Sequence, residues 1–513
     1  NDGNIKQTIS YSWPKISRLT TFKFGYIIKT SKNVITPQSR SANLLQPRYG
    51  QPTAITHPHL VKDGELLPGI LLEDFKKRRN ILMDKIFKDS FLSQNSDQSH
   101  IIIIPSASKV YMSEKIPYVF RQNTDFLYFT GCQEPDSILV ITSKGDNSSA
   151  VLFMRKKDSH SELWDGPRTG VEAATSMFGV DQALPTSDFE NYVKSFLQRN
   201  KNTIVWYDDS EVVQPEMQKK LSNFLSQSAK QVFDSLKTFI QEIRLIKSQA
   251  EIKLMQKSCD IASAAIAKCI EISKPGVTEH QIFTTVDYEC RIRGAEFLAY
   301  PPVVASGNNA NIIHYITNNQ VVNDGDMVLM DAGCEYHGYS SDITRTWPVN
   351  GTFTPQQRIL YEIVLEVQKE LIHRLGEMPT LDFIFHEMCL SMGKKLQEVG
   401  LVPKNFGQDK LLAAAYSYCP HHASHYLGMD VHDTGKISRS ISVQPGMIVT
   451  IEPGIYVNPR NTLAHQEFHG LGIRIEDDIL ITKDGPVVLT RNCPKEVSEI
   501  EALAKKNQLG QCF

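Results

Sequence analysis

Residues 327–345 have the sequence Met327-Val-Leu-Met-Asp331-Ala-Gly-Cys-Glu-Tyr-His-Gly-Tyr-Ser-Ser-Asp342-Ile-Thr-Arg. Asp331 follows an apolar run, a glycine-rich turn comes next, and Asp342 opens the return strand. The two acids are eleven positions apart, which predicts a hairpin that places both carboxylates at one end of neighbouring strands. Because Asp is also common in turns, the pair alone leaves a structural role open.

A cluster of histidines follows in the second half of the chain. Four of the 15 histidines fall within twelve positions, in His421-His422-Ala-Ser-His425-Tyr-Leu-Gly-Met-Asp-Val-His432. A lone histidine among apolar residues is more often a satisfied core residue. Four of them close together favour metal binding or acid–base chemistry.

Two further acids lie beside apolar strands. Glu452 follows Val-Thr-Ile and precedes Pro-Gly, and Glu476 belongs to the alternating run Ile473-Arg-Ile-Glu476, which predicts a strand. A buried carboxylate is costly unless it is paired or bound to a metal. Four acids and one imidazole make an oxygen-rich ligand set that suits two divalent ions such as manganese, with iron, cobalt and zinc as competitors. Two such ions activate a shared water and polarise a carbonyl, so the pattern predicts a hydrolase.

The composition is that of an ordinary globular protein. The chain has 513 residues, 41% of them hydrophobic and 22% charged, which predicts two domains and a tail. A net charge of -2 excludes a general basic surface for nucleic acid or membrane. We find no apolar run near the roughly 18 residues of a membrane span. The nine cysteines are irregularly spaced without a CxxC pair, which predicts reduced thiols in a non-oxidising compartment.

The first 60 residues differ in composition from the rest. They contain eight Lys or Arg and a single acid, Asp2, and many hydroxyl residues. Such a basic, acid-poor segment is typical of a mitochondrial transit sequence, with a linker before the folded part. A basic tail without a targeting role is the alternative.

The remaining chain divides into two predicted domains. Residues 65–235 alternate strands and helices, which indicates an α/β domain. From residue 245 onward, two helix pairs each lead into a strand-rich stretch with histidines. The repeat of about 100 residues indicates an α+β domain with pseudo-twofold symmetry over residues 245–513, with strands inside and helices outside. Coincidence between two ordinary helix pairs stays open at this point.

Taken together, these stretches resemble the aminopeptidase P branch of the pita-bread metallopeptidases. The resemblance covers roughly residues 65–505, includes a creatinase-like N-terminal domain, and is closest to the mitochondrial Xaa-Pro aminopeptidases, also called intermediate cleaving peptidases. The matching motifs are Tyr300-Pro-Pro-Val-Val, His314-Tyr, Asp331-Ala-Gly-Cys, Ser341-Asp342-Ile-Thr-Arg-Thr-Trp, His425-Tyr-Leu-Gly-Met-Asp-Val-His-Asp, Ile451-Glu452-Pro-Gly and Arg474-Ile-Glu476-Asp-Asp.

The resemblance implies a role for each matching residue. The implied metal ligands are Asp331, Asp342, His425, Glu452 and Glu476. Asp342 and Glu476 would bridge both ions, and Glu452 would also serve as general base and then acid. The implied substrate-site residues are His314, His421 and His432, with His421 or His432 stabilising the oxyanion. The implied residues that orient ligands are Arg474 and Tyr456.

The resemblance also implies the activity. It predicts a manganese-dependent aminopeptidase that acts on peptide or protein N-termini, prefers proline at the second position, and forms a homodimer. Trimming of imported mitochondrial proteins is a further role that the resemblance implies. Mitochondrial matrix is the implied location, with the cytoplasm as alternative. A prolidase-type dipeptidase, a metal-free creatinase-type amidinohydrolase and a metal-free binding module remain alternatives, although the complete ligand set argues against the last two.

One position departs from the bacterial pattern. Leu127 stands where bacterial relatives carry Trp near the substrate mouth. A smaller side chain there predicts a wider mouth and a relaxed need for proline.

Overall fold

The computed structural model describes residues 48–88, 98–144, 147–208, 212–226 and 232–509. The transit-like segment predicted for residues 1–60 lies outside these ranges up to residue 47. Eight of the nine cysteines lie within them, and all eight are buried and free of disulfide bonds; Cys512 lies outside. No helix in the described ranges is long and apolar enough to cross a membrane.

The first part of the described chain is an α/β layer built on one mixed sheet. Its elements are β1 (Glu65–Leu67), β2 (Ile70–Leu71), α1 (Leu72–Lys88), β3 (Ser99–Pro105), β4 (Tyr111–Ser113), β5 (Ile116–Pro117), α2 (Thr124–Thr130), β6 (Ile138–Lys144), β7 (Asn147–Met154), α3 (Ser159–Asp165), α4 (Gly170–Phe178), β8 (Gln182–Pro185), α5 (Phe189–Arg199), β9 (Thr203–Trp206), α6 (Pro215–Ser226), β10 (Val232–Asp234) and α7 (Lys237–Leu245). The six-stranded sheet has the order β10-β9-β3-β6-β7-β8. The α/β class predicted for this part of the chain is confirmed.

Strand β3 shows why this sheet forms. Its aliphatic run is buried on both faces: Ile101 and Ile103 belong to one core cluster and Ile102 belongs to the other. A strand covered on both sides needs no polar alternation, so it is continuously apolar. The cluster that contains Ile102 also contains Met255 and Tyr339, so the core of this layer continues into the following part of the chain.

The rest of the chain has the predicted pita-bread architecture. Its elements are α8 (Gln249–Ile272), α9 (Glu279–Ile292), β11 (Phe297–Leu298), β12 (Val303–Ser306), β13 (Met327–Ala332), β14 (Cys334–Tyr336), β15 (Tyr339–Ser340), β16 (Ile343–Pro348), α10 (Pro355–Arg374), α11 (Leu381–Glu398), α12 (Gln408–Tyr418), β17 (Ile448–Ile451), β18 (Gly454–Tyr456), β19 (Gly472–Arg474), β20 (Asp477–Thr482), β21 (Gly485–Val488) and α13 (Val497–Leu509).

The two halves of this part repeat one arrangement. In each half a helix pair, α8–α9 or α10–α11, precedes an antiparallel three-stranded sheet, β12-β13-β16 or β17-β20-β21. Ser248, Thr278 and Thr354 begin their helices with capping boxes, and Thr380 caps α11 through its side chain. The predicted pseudo-twofold arrangement is therefore present, and the two equivalent sheets lie side by side.

Two local predictions need correction. The turn between Asp331 and Asp342 is a second hairpin, β14–β15, which pairs with β11. The residue before this hairpin has to be glycine, because a Cβ on Gly333 would lie 1.7 Å from the Ser341 carbonyl oxygen. Glu476 does not lie within a strand: it occupies the break between β19 and β20, where the chain passes from one small sheet to another.

Candidate active site

The four predicted acidic ligands occupy equivalent ends of the two strand pairs. Asp331 lies in β13 and Asp342 directly precedes β16, its antiparallel partner. Glu452 directly follows β17 and Glu476 directly precedes β20, which pair in the same way. The Glu476 amide donates a hydrogen bond to the Thr344 carbonyl oxygen at 3.1 Å, which joins the two halves here. The internal repeat thus brings all four carboxylates to one cavity.

The closest group of ligand atoms comes from Asp342, His425 and Glu476, which all lie within 4.8 Å of one another. His425 Nε2 is 3.4 Å from Asp342 Oδ2 and 3.7 Å from Glu452 Oε1. Its Nδ1 lies 3.1 Å from the Tyr426 carbonyl oxygen, so Nδ1 carries the proton and Nε2 faces the acids. This is the orientation that a metal-binding imidazole needs.

Residues around the acids hold them in place through hydrogen bonds. Arg474 Nη2 donates to Asp331 Oδ2 at 2.6 Å, and its Nη1 donates to the Tyr456 hydroxyl at 2.7 Å. Thr344 Oγ1 donates to Glu476 Oε2 at 2.7 Å. These partners fix each carboxylate and leave its remaining oxygen lone pairs for another ligand.

The carboxylates of the cluster repel one another, and added positive charge would stabilise them. Burial, together with the charge of Asp342, raises the pKa of Glu476 well above its ordinary value. Burial likewise raises the pKa of Glu452 to about 7. Although burial lowers the pKa of His425, its contact with Asp342 and the charge of Glu452 outweigh that effect and raise the pKa to about 9. Four carboxylates, two buried and two half-buried, together with one imidazole therefore fit hard divalent cations, which would relieve this repulsion.

The predicted substrate-site histidines differ in their bonding. His421 Nδ1 donates to the His422 carbonyl oxygen at 2.9 Å, so its Nε2 accepts from the Tyr456 hydroxyl, also at 2.9 Å. Burial lowers the pKa of His421 to about 4, which keeps the ring neutral. The His432 ring packs edge-on against His425 with centroids 4.6 Å apart. Both His421 and His432 line the cavity, but His421 already uses both ring nitrogens.

Two cavities meet at the cluster. The larger, about 590 Å³, contains the acids and the histidines and extends past His422, Ile437 and Arg439. The second, about 500 Å³, is reached from the same centre, since His314, Asp331, Asp342 and His432 line both. Its other walls are mainly apolar, being formed by Ala299, Tyr300, Pro301, Val303, Ile316 and Val431, with Arg121 and Asp430 beside them. Nine of the ten predicted site residues line the larger cavity. The tenth, Tyr456, is hydrogen-bonded to His421, which lines it.

The structure shows two further residues at the site: Tyr300, whose motif matches the family but had no predicted role, and Arg439, which was not predicted. The Tyr300 hydroxyl lies 2.6 Å from both Asp331 Oδ1 and Asp342 Oδ1, and donates its single proton between them. Arg439 lines the larger cavity, and no carboxylate of the described residues forms an ion pair with its guanidinium. A tyrosine beside two prolines carries no signal for this role, and neither does an arginine within a serine-rich loop.

Leu127 lines neither cavity at the acids, so its position gives the predicted wider mouth no support, and the relaxed need for proline stays a prediction. Leu127 is buried in α2 and lines a separate cavity of about 250 Å³ with Phe120, Phe297 and His337. It also packs against Gly338, where an added Cβ would lie 2.9 Å from Leu127 Cδ2. The side chain therefore lies between the α/β layer and the hairpin β14–β15 and lines neither cavity at the acids.

Comparison with known proteins agrees with this geometry. The model of "Metallopeptidase family M24" matches residues 253–483, which include all five predicted ligands. The model of "Aminopeptidase P, N-terminal domain" matches residues 75–206 in the α/β layer.

Curated relatives align over most of the chain. Xaa-Pro aminopeptidase 3 of Rattus norvegicus is 43% identical over 473 residues, covering 90% of this chain and 91% of the relative. Intermediate cleaving peptidase 55, mitochondrial, of Arabidopsis thaliana is 38% identical, covering 88% of this chain and 87% of the relative.

Solved structures show the same fold. Proline aminopeptidase P II from Yersinia pestis superposes with a TM-score of 0.77 at 33% identity, covering 85% of this chain and 99% of that one. The Pseudomonas aeruginosa aminopeptidase PepP gives a TM-score of 0.76 at 33% identity, covering 86% and 99%. Since family models, relatives and folds all agree, the chain belongs to metallopeptidase family M24 and carries the N-terminal domain of aminopeptidase P.

Proposed function

We propose that this protein is an aminopeptidase that releases the first residue of peptides, preferring proline second, with two divalent cations at its centre. The observation that carries the proposal is the convergence of five ligand groups, each buried or half-buried, at the meeting point of two cavities. The proposed metal ligands are Asp331, Asp342, His425, Glu452 and Glu476. Manganese is the proposed ion, because carboxylate oxygens outnumber nitrogen four to one in this set.

The inventory of ligands supports two ions. An imidazole binds one ion, whereas a carboxylate offers two oxygens and can bridge a pair. Asp342 and Glu476 come from different halves and lie together beside His425, which suits them to the bridging role. When bound, two such cations lower the pKa of a shared water and polarise the scissile carbonyl.

The side chains around the ligands supply the proton chemistry. Glu452 Oε1 lies 3.7 Å from His425 Nε2, and its Oε2 lies 3.7 Å from His421 Nδ1. A carboxylate at this position, facing the cavity, can accept a proton from the attacking water and return it to the leaving amine.

Stabilisation of the oxyanion is assigned to His432 rather than His421. His421 is part of the chain Arg474–Tyr456–His421, in which both ring nitrogens are used. The His432 ring lines both cavities and has no hydrogen bond to any other residue in the described part of the chain. It can therefore donate to an oxygen of the peptide at the cluster.

The second cavity supports a large apolar first residue. Its volume of about 500 Å³ is far above that of a small side chain, and most of its walls are aliphatic or aromatic. Burying an apolar side chain there is favourable by roughly 25 cal/mol per Å². We therefore propose that peptides beginning with Tyr, Leu or Phe are substrates even without proline second.

A peptide panel tests this function. The purified protein with added manganese is expected to cleave tripeptides with proline second, and tripeptides beginning with Tyr, Leu or Phe. Cleavage of dipeptides alone would identify a prolidase, and cleavage only before proline would defeat the relaxed specificity. Loss of activity with a chelator and recovery with manganese, measured beside total metal content, separates a peptidase from a metal-free binding module.

A substitution in the second cavity tests the first-residue preference. Ile316→Asn is expected to lower kcat/KM for peptides beginning with Tyr, Leu or Phe by about tenfold, because weakened apolar contacts cost roughly 1–3 kcal/mol. Peptides beginning with Ala serve as the internal reference. The matched control is Ile312→Asn, since Ile312 is equally exposed (55% against 56%) in the same segment but lines neither cavity. Equal losses for both variants, or for all peptides, contradict the assignment.

We further propose that the protein works in the mitochondrial matrix, where it trims imported proteins by one residue. The basic N-terminal composition and the name of the Arabidopsis thaliana relative support this location. A homodimer, implied by the family resemblance, stays a prediction.

The targeting proposal predicts that residues 1–60, fused to a fluorescent reporter, direct the reporter to mitochondria. The basic side chains carry the signal in such segments. A matched fusion in which Lys15, Arg18 and Lys23 are replaced by Gln is expected to lose most of the import. A native fusion that stays in the cytosol contradicts the proposal and favours the cytoplasmic alternative.

A further inference from the structure

A buried cluster of charges connects the α/β layer to the segment that carries His432. Arg244 lies in the last turn of α7, Asp125 lies in α2, and Lys247 lies in the turn before α8. Asp430 and Asp433 lie at the two ends of the segment Asp430-Val-His-Asp433. The side chains of Arg244 and Asp433 are 3% and 0% exposed, so these charges interact away from water.

One guanidinium group holds both ends of that segment. Arg244 Nη2 donates to Asp430 Oδ2 at 2.7 Å and also to Asp433 Oδ1. Arg244 Nη1 donates to Asp125 Oδ1 at 2.6 Å, which anchors the guanidinium on the α/β layer. Lys247 Nζ donates to the other Asp433 oxygen at 3.1 Å. The packing is tight, since a Cβ on Gly428 would lie 2.3 Å from Asp433 Oδ2.

His432 lies between the two aspartates, of which Asp430 also accepts hydrogen bonds from Thr124 Oγ1 at 2.6 Å and Arg121 Nη2 at 3.2 Å. Residues 428–433 belong to no helix or strand. The His432 ring makes no hydrogen bond to other side chains or main chain within the described ranges, and its one ring contact is with His425. The direction of the ring therefore depends on the main chain of Asp430–Asp433, and among the described residues Arg244 is the side chain that bonds to the aspartates at both ends.

We propose that Arg244 is a positioning residue for His432, and that through it the docking of the α/β layer sets the geometry of the hydrolytic site. The inference rests on the proposed role of His432 in hydrolysis. An arginine is required because its planar fork reaches three carboxylates at once, whereas a lysine ammonium keeps the charge without that fork.

The variant Arg244→Lys tests the proposal while retaining the charge balance. Its kcat is expected to fall by about 10²-fold, the effect of a misplacement of roughly 1 Å in a catalytic group. The KM and the metal content are expected to change little, because no metal ligand contacts Arg244. Asp430→Asn, at a side chain that is 38% exposed, releases one end of the segment and is expected to give a smaller loss of the same kind.

A double-mutant cycle separates positioning from general stability. In a His432→Ala background, Arg244→Lys is expected to cause less than about threefold further loss, because both changes act on the same ring. The matched control is Arg78→Lys, since Arg78 forms another buried ion pair across the same layers, with Glu251 at 3.2 Å. Its effect, whatever its size, should multiply with that of His432→Ala. If the loss in kcat caused by Arg244→Lys also multiplies with the loss caused by His432→Ala, the proposal is overturned.

Hydrogen exchange supplies a readout that does not depend on activity. Amides of residues 428–434 are expected to exchange faster in Arg244→Lys than in the native protein, and unchanged in Arg78→Lys. Unchanged exchange in Arg244→Lys overturns the proposal even if activity falls. Absence of peptide cleavage by the native protein would be a failure of the proposed function, which the exchange measurement distinguishes from a failure of the Arg244 contact.

Discussion

Replacing Glu476 by glutamine, or Asp331 by asparagine, is expected to abolish peptide hydrolysis, with kcat/KM falling by at least about 10³-fold. An amide retains the shape and can still accept from Thr344 or Arg474, the partners of the native carboxylates. It loses the negative charge that holds a divalent cation. Metal content, measured on the purified variants, should fall together with activity, while the unfolding transition stays close to that of the native protein.

The matched control for these two variants is Glu366→Gln. It makes the same chemical change on a carboxylate that is 64% exposed and pairs with Lys395 on the surface. Exposed pairs of this kind contribute little to stability, so activity and metal content should stay normal. Near-normal turnover of Glu476→Gln or Asp331→Asn at saturating manganese would remove that residue from the ligand set.

The variant His432→Ala is expected to retain its metal and lose most of its turnover. Removing one hydrogen bond to the developing oxyanion costs about 2.7–4 kcal/mol, which corresponds to roughly 10²–10³-fold in kcat. The five proposed ligand positions are filled by other residues, so the proposal leaves no ligand role for His432. Steady-state kinetics and metal analysis on the same preparation measure both quantities.

Its control is His373→Ala, at an exposed position in α10 that is far along the chain from the histidine cluster. That variant should match the native protein in both measurements. A parallel loss of metal and activity in His432→Ala would make His432 a ligand and would reverse its assignment relative to His425.

The residues of the proposed site could be found from sequence because they follow strong local patterns. Asp331, Asp342 and Glu452 adjoin apolar strands, and a carboxylate in that position has to be compensated when it is buried. The starts of helices could also be predicted from the sequence. The capping boxes at Ser248 and Thr354 satisfy backbone amide groups within one helical turn, so their pattern is local. The domain limits 65–235 and 245–513 stay predictions.

Contacts between distant segments could not be found in this way. The family pattern predicts that Leu127 lies near the substrate mouth. Its neighbours in the structure, Gly338 and Phe297, come from elements far along the chain. The same holds for Tyr300, whose hydroxyl reaches two acids more than 30 residues away. Neither the periodicity nor the spacing of residues within one segment predicts such long-range contacts.

By itself, the sequence determined the fold class, the paired halves and the identity of the buried acids, because burial cost, strand pattern and helix capping act over a few neighbouring residues. Only the tertiary structure decided how the histidines differ, that the second cavity has apolar walls away from the acids, and that Arg244 bonds to the aspartates on both sides of His432. These properties depend on the hydrogen-bond partner that each side-chain donor and acceptor has in the folded protein. That assignment is made between segments more than 100 residues apart: 119 residues separate Asp125 from Arg244, and 189 separate Arg244 from Asp433.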